Sequence, residues 1–425
     1  MPFRIEGIRG TALCGGGNQR PEVPGETMRE FPRSFTEQQP IPAAGIERAT
    51  EVMASGKLHR YNLGPGETDD AALLEQEFAG YVGRRYCVAC NSGGFALHIA
   101  LRALLPERGT PVLCNAFTLS PVPGAIHNAG GVTVPVETDE SLTIDCDDLR
   151  LAAETHDARF LVLTHMRGHI ADMDAVAALC AELGITLIED CAHTMGAYWR
   201  NRPSGAHGTA ACFSTQSNKH INSGEGGLLV TDDAELAARA VLYTGSYMFY
   251  DSHLAAPPRA RVGELSGEIP NYSGRMDRLR AALLRPQLSE LEARREHWNA
   301  LYRRLEGRLA QADGITLPQR HAAAEYVGSS LQFWAEGLAL EQFPDFISRC
   351  ADRGVPVAWF GNPSARGYTS NFRHWRYLSV ERALPKTQNV LSRLCDIRLP
   401  LTFTEEDCAL IGEIIDDSLQ ATRPE

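Results

Sequence analysis

The stretch FSTQSNKHINSGEGGLL, residues 213–229, sets one lysine, Lys219, between an apolar run and a cluster of glycines. An amine at a strand-to-loop junction has two chemistries open to it: charge for a phosphate, or attack on a carbonyl. The phosphate reading fails on order. A nucleotide-triphosphate loop puts its lysine after the glycines and opens a helix with it. Here the lysine comes first and His220 follows it. A solvated lysine in a turn is the plain alternative. What decides between them is which other side chains arrive beside Lys219.

Three further stretches offer candidates. ITLIED ends an apolar run on Glu189 and Asp190, and AACFST ends one on Ser214 and Thr215. YCVAC is followed by Asn91, Ser92, Gly93 and Gly94, where a helical pattern begins. Open parallel sheets bind ligands beyond the carboxyl ends of their strands. One rim is therefore expected to carry a carboxylate, a lysine, a hydroxyl and a helix start that seats an anion. Those parts suit pyridoxal phosphate. The lysine forms a Schiff base with its aldehyde, and the carboxylate keeps the ring nitrogen protonated. The helix start and the hydroxyl hold the phosphate.

The elements that must position these residues alternate from about residue 71. AALLEQEFAGYVG, FALHIALRALL, PVPGAIHNA, DAVAALCAELG and DAELAARAVLY read as helices. YCVAC, PVLCNAF, GVTVPVE, FLVLTH, ITLIED, AACFST and GLLVTD read as strands. Short continuous apolar strands alternating with helices predict a mostly parallel sheet covered on both faces. After residue 276 comes a long helical connector, with Pro286 expected to kink or break it. An α+β region of about a hundred residues follows. The expected division is an extended arm over 1–40, a large domain over 41–290 and a small α+β domain over 291–425.

Composition excludes other classes. The 425 residues carry a formal charge of −12 and show no basic run, which disfavours nucleic acid and anionic membrane. No apolar run reaches the ~18 residues of a membrane span, and the N-terminal residues lack the apolar core of a signal peptide. Eleven scattered cysteines suit free thiols in the cytoplasm. Cys87 and Cys90 form a C-x-x-C on a strand, where an offset of three puts them on opposite faces. His165 and His169 in HMRGH lack the glutamate of H-E-x-x-H, and His165 ends a strand, so no metal site is expected.

LIEDCAHTMGA, GTAACFSTQSNKHINSGEGGLLVTDD and NSGGFALHIAL resemble the DegT/DnrJ/EryC1/StrS family of sugar aminotransferases, from about residue 40 onward. The resemblance implies an α/β fold of type I: a mostly parallel sheet of the seven-stranded type with helices on both faces, plus a smaller C-terminal α+β domain. It implies that Lys219 forms the Schiff base and carries the proton, and that Asp190 pairs with the pyridine nitrogen. His193 then lies near the cofactor's phenolic oxygen, while Ser214 and the Gly93, Gly94 and Phe95 backbone hold the phosphate.

Three departures stand out. Gly94 replaces a threonine. Leu119 stands where an aromatic ring stacks on the pyridine, with Phe117 as the ring that takes over. In NYSGRM, either Asn271 or Ser273 takes the place of the asparagine that reaches the partner's phosphate.

The implied reaction moves an amino group from glutamate or glutamine to a keto sugar, cyclitol or similar intermediate. It takes place in a homodimer with shared sites, and the irregular stretch 240–274 reaches the partner. Arg259, Arg261 and Arg275 are the candidates for a nucleotide-sugar diphosphate. Two other readings compete: elimination on the same cofactor, or a non-catalytic regulator. The retained Lys219 and Asp190 argue against both.

Overall fold

A computed structural model describes residues 29–246, 249–365 and 370–423. Its main sheet has seven strands: β1 Tyr86–Cys90, β2 Pro111–Asn115, β3 Val132–Val136, β4 Phe160–Thr164, β5 Thr186–Asp190, β6 Ala210–Ser214 and β7 Gly227–Thr231. They lie side by side in the order β1-β7-β6-β5-β4-β2-β3. Every strand runs the same way except β7, which is antiparallel to both β1 and β6. The carboxyl ends of β1, β2, β4, β5 and β6 therefore share one rim.

Alternation along the strands feeds two cores. Val88, Cys90, Val112, Ile188 and Cys212 face helices Gly93–Leu104, Pro121–Ala129 and Ala234–Tyr243. Cys87, Ala89, Ala211, Leu228 and Val230 face the other way, onto helices Asp70–Val82 and Arg278–Ser289. Cys87 and Cys90 thus enter opposite cores, and burial raises both thiols, Cys90 to about 12. The ten described cysteines are all free thiols; Cys14 lies outside the described residues.

The connector breaks elsewhere than expected. Helix Arg278–Ser289 runs through Pro286 and ends at Glu290, where helix Leu291–Leu309 begins. Proline removes one N–H from the helical ladder. Here the Gln287 side chain donates to the Leu283 carbonyl at 2.7 Å, and the helix packs on Ala43–Ser55 and Asp70–Val82, so tertiary contact overrides the local break.

Beyond it, strands Ile315–Thr316, Ser330–Ala335, Leu394–Arg398 and Ala358–Trp359 form a four-stranded antiparallel sheet in that order. Helices Phe343–Asp352 and Glu405–Gln420 accompany it. Of the expected arm, residues 1–28 lie outside the described residues. Residues 29–40 have no helix or strand, yet they are docked: Phe31 is buried and, with Phe35, packs its ring on Phe403. The stretch 240–274 is less irregular than expected, since it contains helix Arg259–Glu264. No helix among the described residues is long and apolar enough to cross a membrane.

Candidate active site

Lys219 lies in the loop that joins β6 to antiparallel β7. The loop closes on itself: the Thr215 N–H donates to the Gly226 carbonyl at 2.9 Å, and Ser223 N–H to the Thr215 carbonyl at 3.0 Å. This explains the glycines after the lysine. A Cβ on Gly227 would lie 2.2 Å from the Ser92 carbonyl oxygen, so only glycine lets the turn after β1 rest on the start of β7.

That contact brings the start of helix Gly93–Leu104 beside the end of β6. A Cβ on Gly93 would lie 2.8 Å from the Ser214 Cβ. Ser92 caps the helix, its hydroxyl oxygen accepting from the Phe95 N–H at 3.1 Å. The cap employs Phe95, so the Gly93 and Gly94 N–H groups are the ones without an intrahelical partner. The Phe95 N–H, expected above to hold phosphate, is bonded to the Ser92 hydroxyl in this structure. The Asn91 Oδ1 beside them is buried and has no hydrogen-bond partner.

Asp190 ends β5, the parallel neighbour of β6, and lies opposite Thr164 of β4. It is buried and accepts one backbone N–H, from Ala192 at 3.1 Å. Burial holds its carboxyl above the usual range, against the Ala192 N–H and Lys219, which both pull it down. Lys219 is pushed down to about 7 by burial first, then by Arg167 and Arg398, while Asp190 pulls it up. The two groups thus oppose each other's shifts, as charges of opposite sign in one desolvated pocket do.

His193 follows in the same turn. Its Nδ1 accepts the Arg167 N–H at 3.2 Å, and burial, then Lys219 and Arg167, hold the ring neutral well below its usual range. His220 lines the same cavity as Lys219. It is buried edge-on to Trp298 at 5.2 Å, and both its ring nitrogens are buried without partners.

Other expectations need correction. Glu189, expected on the rim, turns to the opposite face of β5. There it accepts N–H groups from Gly205 at 3.0 Å, His207 at 2.8 Å and Gly208 at 2.7 Å. Thr215 is fully buried and bonds the Ser223 hydroxyl at 2.8 Å. His165 faces Glu189 at 3.5 Å and His169 faces Gln332 at 2.8 Å, so the two histidines do not share a site.

Leu119 is half-buried against a cluster that includes Met166 and Phe360. Phe117 cannot supply the stacking ring, because it is fully buried edge-on to Phe360 at 5.0 Å. Asn271 and Ser273 are exposed on this chain. Arg259 pairs with Asp251, Arg261 with Glu235 and Glu264, and Arg275 with the Gly245 carbonyl.

The cations that do reach Lys219 were missed. Arg167 comes just after β4, within HMRGH, where only the histidines drew notice. Arg398 comes from the second sheet, more than 170 residues further on than Lys219, and no local pattern announces it.

With this geometry in view, the comparisons decide the family. The profile of the DegT/DnrJ/EryC1/StrS aminotransferase family matches residues 41–416. The chain belongs to that family. It is 30% identical over 295 residues to the 3-amino-5-hydroxybenzoate synthase of Amycolatopsis mediterranei (strain S699), covering 68% of this chain and 73% of that one. It is 29% identical over 335 residues to the L-glutamine:scyllo-inosose aminotransferase of Streptomyces griseus, covering 78% and 73%. A crystal structure of 3-amino-5-hydroxybenzoic acid synthase superposes with a TM-score of 0.78 at 24% identity, over 92% of this chain and 99% of that one. The fold is therefore that of the type I aminotransferases, and the protein is an enzyme of that class.

Proposed function

We propose that this enzyme uses pyridoxal 5′-phosphate to move an amino group from an amino-acid donor, glutamate or glutamine, to a keto group. The acceptor belongs to the sugars, cyclitols and similar ring intermediates. The relatives' names support this: one is a glutamine:scyllo-inosose aminotransferase, another makes an aminohydroxybenzoate. Overall, the donor becomes its 2-keto acid and the acceptor carbonyl becomes a primary amine.

The residues fit the cofactor on three observations. Gly93 lets the helix start lie directly against Ser214, Asn91 Oδ1 is a buried atom lacking a partner, and Asp190 is a buried carboxylate with no cation bonded to it among the described residues. The bound cofactor supplies an electrophilic carbon and a ring that accepts electrons.

The chain does the rest. Lys219, with its pKa near 7, is partly neutral at physiological pH, so it can attack carbon and then ferry a proton. Asp190 keeps a proton on the ring nitrogen. His193 presents a neutral imidazole to the ring's oxygen. The Gly93 and Gly94 N–H groups and the Ser214 hydroxyl hold the phosphate, with Leu119 against the ring face. Asn271 or Ser273 serves the partner's site in a cytoplasmic homodimer, and the chain divides into large and small domains near residue 290.

One observation carries this reading: Lys219, in the loop that leaves β6, and Asp190, at the end of the neighbouring parallel β5, come to one rim, where each favours the other's charged form. Borohydride reduction of the cofactor-loaded protein, followed by peptide mapping, tests it. The expected product is cofactor fixed on Lys219; fixation on another lysine, or on none, refutes the reading.

A further inference from the structure

Between Thr215 and Ser223, which bond each other, the Lys219 loop lies outside the main sheet. On its amino side the loop holds itself. The Lys219 N–H donates to the Gln216 carbonyl at 2.8 Å, and the Asn218 N–H to the Gln216 side chain at 2.8 Å. On its carboxyl side the partners come from the two connector helices, more than sixty residues further along.

Gln287, on helix Arg278–Ser289, takes both backbone groups of Asn222. Its Oε1 accepts the Asn222 N–H at 2.9 Å, and its Nε2 donates to the Asn222 carbonyl at 2.8 Å. The other Nε2 hydrogen goes to the Leu283 carbonyl at 2.7 Å, and Oε1 also accepts from Arg294 at 3.2 Å. A carboxamide offers two donors and two acceptor sites. Gln287 uses all four and is only 1% exposed. Arg294, on helix Leu291–Leu309, donates to the His220 carbonyl as well, at 3.4 Å, and pairs with Glu290 at 3.0 Å. Ile221, between the two gripped residues, is fully buried.

The backbone just after the reactive amine is therefore pinned at three successive residues by side chains from outside the loop. A buried amide with no spare hydrogen bond cannot turn without breaking one. Position matters here, because reacting groups displaced by about 1 Å lose roughly 10²-fold in rate. Supporting residues that lock a reactive side chain are how a site keeps that precision.

We propose that Gln287, backed by Arg294, is a positioning residue for the amino transfer. By fixing the backbone from His220 to Asn222, it fixes the base from which the Lys219 side chain extends. It acts through the loop, not on the reacting atoms. The inference rests on the aminotransferase reading above and deepens it.

The test uses the full chain loaded with pyridoxal phosphate. Gln287→Met keeps the length of the side chain and removes its hydrogen bonds. Gln287→Glu keeps the acceptor for Asn222 and Arg294 and loses the donors. Leu149→Ala is the control: it opens the core on helix Cys146–Thr155, beside edge strand β3, and lowers the melting point without touching the loop. Single-turnover reaction with the amino donor gives the rate. The visible circular-dichroism band of the bound cofactor reports how firmly its orientation is held.

The expected result for Gln287→Met is a half-reaction slowed roughly 10- to 100-fold and a weakened dichroic band. Gln287→Glu should lose less in both. Leu149→Ala should keep both despite its lower melting point. Arg294→Gln removes the support behind Gln287 and should act in the same direction, so the test survives a Gln287→Met chain that fails to fold. A Gln287→Met variant that behaves like Leu149→Ala, melting lower with rate and band unchanged, overturns the proposal, since Gln287 would then serve stability alone. Failure of the parent reading looks different: borohydride would not fix the cofactor on Lys219 in the unaltered chain.

Discussion

Glu189 and Asp190 are neighbours in sequence and opposites in structure. Each is a buried carboxylate at the end of β5, and the strand's alternation turns one to each face. Glu189 is complete. Three backbone N–H groups bind it and His165 stands beside it. Burial pushes its pKa up, but His165, His207 and the Gly208 N–H outweigh burial and bring it to about 2. Asp190 has one N–H, and burial wins. A carboxylate whose partners are all in place holds a loop in position. One that burial leaves under-satisfied is waiting for a cation, and the rim it faces is where Lys219, Ser214 and the Gly93 helix start converge.

The strongest way to break the rim side is Lys219→Ala. We expect turnover to fall by roughly 10⁴-fold or more, since no neighbour replaces both nucleophile and proton carrier. The melting point of the cofactor-free protein should hold or rise. A variant with near-normal turnover would remove Lys219 from the chemistry.

Crossing the two carboxylates sharpens the contrast. Asp190→Asn should slow the half-reaction with the amino donor by roughly 10²–10³-fold, about 2.7–4 kcal/mol, with little effect on stability. Glu189→Gln should do the reverse. Losing charge opposite three N–H donors costs roughly 1–3 kcal/mol of stability, while the surviving protein keeps its half-reaction rate. Single-turnover kinetics beside thermal melts read both axes. If Asp190→Asn lowers only the melting point, it is a structural carboxylate like its neighbour.

The pH dependences have opposite signs as well. Glu189, with its folded pKa depressed to about 2, adds stability that is present above 4.5 and lost as pH falls toward 2. Asp190, with its folded pKa raised, opposes folding above its unfolded value and ceases to do so in acid. Lys219, depressed to about 7 in the fold, costs stability at neutral pH. That cost is relieved as pH rises from about 7 to 10.5. Capture of pyridoxal phosphate by the cofactor-free protein should therefore rise about tenfold per pH unit below 7 and level off above it. Stopped-flow absorbance measures this, and a profile still climbing at pH 9 would contradict the lowered lysine pKa.

The smallest expected effect is that of Ser214→Ala. It keeps the Cβ that faces Gly93 and removes one hydroxyl, so cofactor retention should weaken by roughly 2- to 10-fold. Equilibrium dialysis against the cofactor reads it, and unchanged retention would take the hydroxyl out of the phosphate seat.

Much of this was legible in the sequence because it is local. Short continuous apolar strands between amphipathic helices dictate a mostly parallel covered sheet, and that sheet puts strand ends on one rim. Lys219, Asp190, Ser214 and the Ser92–Gly94 turn follow from reading what comes just after each strand. That Cys87 diverges from Cys90 follows from strand geometry alone.

Tertiary structure decided what local pattern cannot encode. Strand parity turned Glu189 away from Asp190, but only the loop at 205–208 made it a finished site. Packing carried a helix through Pro286 and buried Phe117 against Phe360. Arg398 reaches Lys219 because a separate sheet is docked there, and burial sets the pKa of every group on the rim. Propensity and periodicity act over a few residues; desolvation and charge act across space, between residues that only the fold brings together.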